Sequence, residues 1–170
     1  MRASGRPCVA VFGLGGTIAM TQAPGGGVSP ALTASDLVAA VPGLSGLRAG
    51  LRVRDFRNKP GASLGFTDLY ELAAAIKEAL NDGCLGAVVT QGTDTIEEVA
   101  YVLDLLLPTD SPVVVTGAMR NPTMAGADGL AATMIAARML AGPAAPANVG
   151  LRIAPVTTTR ESVGSSRSRT

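Results

Sequence analysis

Two threonines carry hydroxyls that could act as nucleophiles if a base stood beside them. Thr17 closes the run Gly13-Leu14-Gly15-Gly16-Thr17, and Thr93 lies in Thr90-Gln91-Gly92-Thr93-Asp94-Thr95, with an acid directly after it. Both sit in glycine-containing turns after short apolar runs. Ser63 in Pro60-Gly61-Ala62-Ser63 and Ala118 in Thr116-Gly117-Ala118-Met119-Arg120 repeat the pattern of small and hydroxyl residues after such runs. Glycine allows a ligand close to the backbone, and the N-terminus of a following helix offers free N–H groups to an anion. The pattern suits a small polar substrate bearing a carboxylate. A threonine hydroxyl is a weak nucleophile at neutral pH and needs a base or charge relay beside it. Taken by themselves, the two threonines read better as caps of loops and helices than as catalytic groups.

Several other chemistries drop out. The chain has 170 residues and no histidine, so it cannot assemble a Ser-His-Asp or Cys-His mechanism. Its two cysteines, Cys8 and Cys84, cannot complete a four-ligand zinc site without histidine. Neither metal nor cofactor is expected. Both cysteines flank apolar runs and are read as small buried core residues, not as a redox pair. Gly13-Leu14-Gly15 suggests a dinucleotide fingerprint, but its third glycine would fall at Ile18, and Ala23-Pro24 followed by Gly25-Gly26-Gly27 leaves no room for a long helix.

Net charge is +1, and the first 140 residues carry no basic stripe. Nucleic-acid affinity rests on clustered Lys and Arg, so nucleic acid is not an expected partner. No run reaches the roughly 18 apolar residues of a membrane helix. The opening residues mimic a signal peptide only loosely and read better as a buried first strand. The expected location is cytoplasmic, with no membrane partner.

The elements that would position these residues alternate clearly. Strands are expected at Cys8–Gly13, Leu51–Phe56, Leu85–Thr90 and Pro112–Gly117. The second alternates apolar and charged residues, hence one wetter face; the third is apolar enough for burial on both faces. Thr33-Ala34-Ser35-Asp36 resembles a capping box with Asp for Glu, opening a short helix through Leu37, Val38 and Val41 that Pro42-Gly43 ends. Thr67 is expected to cap a helix carrying Leu69, Leu72, Ala73, Ile76 and Leu80, stopped by Asn81-Asp82-Gly83. A further helix carries Ile96, Val99, Ala100, Leu103 and Leu107, and another spans Asp128–Ala141. This βαβαβαβα order implies one α/β domain, a doubly wound parallel sheet with right-handed crossovers, over residues 8–148. In such a sheet ligands bind outside the carboxyl ends of the strands, where Thr17, Thr93 and Asp94 should converge.

Gly15-Gly16-Thr17-Ile18-Ala19, Gln91-Gly92-Thr93-Asp94-Thr95-Ile96-Glu97-Glu98, and Pro112–Arg120 followed by Ala127-Asp128-Gly129 come in an order that resembles the bacterial-type L-asparaginases, a family that includes asparaginase-glutaminases. The resemblance covers roughly residues 8 to 140. It implies hydrolysis of L-asparagine to L-aspartate and ammonia. Thr17 takes the position that attacks the side-chain amide carbonyl, and Thr93 that of the second catalytic threonine, supported by Asp94 and a lysine. Asp94 would also hold the α-amino group. Ser63 falls near the family's α-carboxylate site, and Gly92 and Ala118 near backbone contacts to substrate. A homo-oligomer is implied for the intact family enzyme.

The chain departs from that pattern in three ways. The mobile loop after strand one normally carries a tyrosine; here Pro24-Gly25-Gly26-Gly27-Val28 has none. Its glycines suggest a lid that closes over substrate. The supporting lysine belongs in a Val-Thr-Lys-type segment, but the only lysines are Lys59 and Lys77, and Val156-Thr157-Thr158-Thr159 offers no charge there. The family's carboxy-terminal domain is also expected to be missing. Residues 149–170 form an atypical Ser/Thr/Arg-rich tail with at most one short strand, and Pro155 argues against a central one. Its composition is what GC-rich coding DNA yields out of frame. The expectation is therefore a truncated asparaginase-type chain, weakly active or inactive alone. The alternatives are a non-catalytic metabolite-binding α/β module and a related glutaminase or amidotransferase subunit.

Overall fold

A computed structural model of the chain describes residues 7–16, 19–22, 28–30, 33–39, 49–107, 111–118 and 152–153. Five strands form one parallel sheet: β1 (Cys8–Gly13), β4 (Gly50–Asp55), β5 (Cys84–Gln91), β6 (Val113–Gly117) and β7 (Arg152–Ile153). Two three-residue strands, β2 (Met20–Gln22) and β3 (Val28–Pro30), pair antiparallel outside it. The helices are α1 (Ala34–Ala39), α2 (Phe66–Asn81) and α3 (Ile96–Leu106), with 3-10 turns at Gly61–Ser63 and Thr93–Thr95.

The strand order β4-β1-β5-β6-β7 is 2-1-3-4-5 in chain sequence, a doubly wound arrangement whose order reverses between β1 and β5. Physical periodicity explains the layers. Ala10, Phe12, Ala87, Val89, Val113 and Val115 lie on one sheet face, packed with Leu69, Leu72 and Ile76 of α2 and Val99 and Leu103 of α3. Val9, Val11, Val88 and Val114 fill the other face, with Leu51 and Val53 against them. The central strands are buried on both faces, so they read as continuous apolar runs. β4 lies at the sheet edge. Its Arg52 and Arg54 are exposed, which makes it the strand with one wetter face.

Two helix starts show how local chemistry sets the boundaries. Thr33 Oγ1 accepts from Asp36 N at 3.0 Å while Asp36 Oδ2 accepts from Thr33 N at 2.9 Å, the reciprocal capping box read from the sequence. For α2 the cap is not Thr67. Gly65 is the N-cap, and Asp68 reaches back to accept from Gly65 N at 3.1 Å. Thr67 lies one residue inside the helix, because the charge of Asp68 satisfies the orphan N–H better than a hydroxyl does.

The cysteine reading needs correction. Cys84 is buried and Cys8 half-buried, but they are not separate thiols. They form a disulfide between neighbouring strands, with Cα atoms 4.6 Å apart. The β2–β3 hairpin is also absent from the βαβαβαβα reading. Part of the segment read as an atypical tail, Arg152–Ile153, pairs with Val114–Val115 as the fifth strand. The expected helix at 128–141, the Gly25-Gly26-Gly27 lid and the Ser/Arg-rich end lie outside the described residues.

Candidate active site

Three loops meet at the carboxyl edge of β1, β4 and β5, and the backbone itself locks them. Leu14 N donates to Thr90 O at 2.9 Å, Phe56 N to Gly13 O at 2.9 Å, and Lys59 N to Leu14 O at 3.0 Å. Gly15 and Gly16 both have positive φ, +95° and +81°. A Cβ on Gly15 would lie 2.7 Å from Lys59 N, and one on Gly16 only 2.3 Å from Gly92 N. The loops after β1 and β5 therefore touch at Gly16 and Gly92. That junction is the switch point of the sheet.

Gly92 is buried and opens the 3-10 turn that carries Thr93 and Asp94. Thr93 is half-buried, and its methyl lies 3.0 Å from where a Cβ on Gly117 would stand. Asp94 is exposed, and its Oδ2 accepts from Ala62 N at 3.0 Å. A Cβ on Gly61 would meet Asp94 Oδ1 at 2.1 Å and Thr95 Oγ1 at 2.7 Å. The turn after β4 thus sits directly on the Asp94 carboxylate. The contact comes from the backbone of Gly61 and Ala62, which the sequence reading passed over in favour of Ser63. Ser63 is exposed at the end of the same turn, with its N–H on Pro60 O. Ala118 is buried at the end of β6. Gly92, Thr93, Asp94, Ala118 and the Ser63 turn thus gather at one edge; Thr17 lies outside the described residues.

A charge network holds the turn after β4 against α2. Asp68 is largely buried and accepts from Arg57 Nε at 2.6 Å and Lys59 Nζ at 2.9 Å, besides Gly65 N. Arg57 also pairs with Glu71 and lies over the Phe56 ring, 4.5 Å from its centroid. The Lys59 ammonium is therefore committed to Asp68, and Lys77 is exposed on α2. Among the described residues, no lysine or arginine pairs with Asp94.

The hydrogen bonds from Arg57, Lys59 and Gly65, in that order, hold the Asp68 carboxyl well below the usual carboxylate range. A depressed carboxyl pKa contributes stability that is present above the unfolded-state value of about 3.9 and is lost as pH falls toward the folded value. Thermal melts of the wild-type chain should therefore lose stability progressively below about pH 4, and Asp68→Asn should melt lower at neutral pH with a flatter acid limb. Parallel acid limbs in the two proteins would exclude Asp68 as the cause.

Polar capacity remains at this edge. Gln91 Oε1, Thr95 Oγ1 and Thr116 Oγ1 are buried with no hydrogen-bond partner among the described residues, and buried polar groups are rarely left so unless water or a ligand serves them. No helix among the described residues is long and apolar enough to cross a membrane.

A doubly wound parallel sheet, with glycine-interlocked turns and a presented carboxylate at its switch point, defines an α/β domain suited to a small polar ligand. The chain belongs to the asparaginase family: residues 8–154 match the family described as "Asparaginase, N-terminal". It is 45% identical over 130 residues to L-asparaginase 2-3 of Saccharomyces cerevisiae, covering 74% of this chain and 36% of that protein. It is 40% identical over 131 residues to the glutaminase-asparaginase of Pseudomonas aeruginosa, covering 72% and 35%. Over 123 residues it is 37% identical to a glutamyl-tRNA(Gln) amidotransferase subunit from Halobacterium salinarum, covering 72% and 29%. The crystal structure of a probable cytoplasmic L-asparaginase from Campylobacter jejuni superposes with a TM-score of 0.76 at 32% identity, over 86% of this chain and 43% of that one. The chain thus spans about a third of the length of these curated relatives.

Proposed function

We propose that the chain is the site-bearing part of an L-asparaginase-type amidohydrolase, acting in the cytoplasm on L-asparagine. Thr17 Oγ adds to the side-chain amide carbonyl, the C–N bond breaks, and nitrogen leaves as ammonia with the hydroxyl proton. Water then adds to the threonyl ester and releases aspartate. Thr93 is the second catalytic threonine, Asp94 binds the α-ammonium group, and Ser63, Gly92 and Ala118 contribute substrate contacts. The family enzyme works as a homo-oligomer, without a cofactor.

The observation that carries this reading is the contact of Gly16 with Gly92. Thr17 and Thr93 directly follow these two glycines in the sequence, which supports a shared role for the two threonines. The Ala62 N–H on Asp94 supports the second part, since it orients the carboxylate without neutralising it.

A hydroxyl nucleophile needs an adjacent base or a charge relay, and neither lysine of this chain serves Asp94. The 170-residue chain should therefore release ammonia from L-asparagine close to background, and Thr17→Val should remove what remains. Turnover comparable to an active family enzyme run beside it, with contamination excluded, would refute the need for a lysine beside Asp94 and leave the amidase reading standing. The glutaminase-asparaginase and amidotransferase relatives favour a second reading, an amidase site for glutamine. Tighter binding of L-glutamate than of L-aspartate selects it. A polar-ligand site that binds either acid, with no ammonia release that Thr17→Val lowers, selects a binding module.

A further inference from the structure

We infer that Cys8 and Cys84 form a reversible thiol–disulfide couple that staples the two site-bearing strands together at the edge of the sheet opposite the site. The inference does not depend on the proposed function. The two residues open β1 and β5, the strands whose far ends carry Gly16 and Gly92. They are register partners across the parallel pair. The register shifts immediately afterwards, from Cys8↔Cys84 to Val9↔Gly86, so one extra residue, Leu85, is accommodated beside the bridge. Leu85 is 44% exposed, although its neighbours along β5 are buried. A slip of one residue in a strand pair would exchange its two faces, and the pair is irregular at this point. A covalent link at the irregularity removes that freedom.

The bridge also joins residues 76 positions apart in sequence. It therefore restricts the unfolded chain across β1, the hairpin, α1, β4 and α2. Cys84 is buried while Cys8 is half-buried, so exchange with a small thiol would proceed from the Cys8 side. The oxidant is a low-molecular-weight disulfide. One protein thiolate attacks it and expels a small thiol. The second protein thiolate attacks the mixed disulfide and expels the other. Two electrons pass from the cysteines to the small disulfide, which leaves as two thiols carrying the protons.

The test equilibrates the purified chain with oxidised or reduced glutathione, then measures alkylatable thiols by intact mass and stability by thermal unfolding. After oxidation the chain should be monomeric by non-reducing electrophoresis, lighter by two hydrogens, and without alkylatable thiols even when unfolded. Reduction should expose two thiols and lower the Tm by about 5–10 °C. The double variant Cys8→Ala/Cys84→Ala should show no redox response, and the wild-type comparison stands even if that variant folds poorly. Two thiols persisting in the oxidised, folded chain, disulfide-linked dimers in place of the internal bridge, or equal Tm values in both states would each overturn the inference.

Discussion

Gly16→Ala should cost about 2–5 kcal/mol of stability, the sum of left-handed backbone strain and overpacking, and should abolish binding of aspartate. The cost has two separable parts. At φ +81° any L side chain is strained, and a Cβ there would stand 2.3 Å from Gly92 N and 2.5 Å from Gly92 Cα. Both clashing atoms are backbone, so no rotamer change relieves them. Only separation of the β1 and β5 loops does, and that displaces the turn that carries Thr93 and Asp94. Gly83→Ala is the control. Gly83 has φ +96° but meets nothing within 4 Å, so it should lose only about 1 kcal/mol from strain and leave binding intact. Equal Tm losses in the two variants would mean that the Gly16–Gly92 contact has no energetic weight.

Gly61→Ala should behave in the opposite way, with a small loss of stability and a large loss of affinity. Gly61 has no positive φ, so the backbone accepts alanine without strain. The new methyl would meet side-chain atoms, Asp94 Oδ1 and Thr95 Oγ1. Asp94 is exposed and can rotate away at little cost to the fold. Rotation breaks the bond from Ala62 N and removes the carboxylate from the position proposed for the α-ammonium group. Loss of one hydrogen bond to a charged group corresponds to roughly 10- to 100-fold in affinity. A melt within about 2 °C of wild type, together with that loss, would separate Asp94 positioning from general destabilisation. Unchanged aspartate affinity would show that the Gly61–Ala62 turn does not set the carboxylate.

The sheet was legible because burial and periodicity coincide there. Cys8–Gly13, Leu85–Thr90 and Pro112–Gly117 are unbroken apolar runs, and the observed strands match them to within a residue or two. The leucine and isoleucine spacing of α2 was equally plain, but its start was not. Thr67 offers a cap by residue type, whereas the effective cap uses Asp68 under the pull of Arg57 and Lys59, partners set by tertiary structure. The β2–β3 hairpin escaped because three-residue strands carry no period. The Cys8–Cys84 bridge escaped because pairing across 76 residues requires the β1–β5 register, which composition does not contain. At the candidate site, the placement of Gly92, Thr93 and Asp94 at the carboxyl edge was legible from their position after a buried strand. Gly61 was not, since its role is the absence of a side chain above a carboxylate 33 positions away in sequence.

The most direct test is a calorimetric titration of L-aspartate into the purified chain and into Asp94→Asn. The amide in the variant can still accept from Ala62 N, so the turn stays in place while the charge is lost. The account predicts a single aspartate site in the wild type, weakened on the order of 100-fold or more in Asp94→Asn with an unchanged melt. Equal affinity in the two proteins, or no binding by a folded wild-type chain at millimolar aspartate, would contradict it.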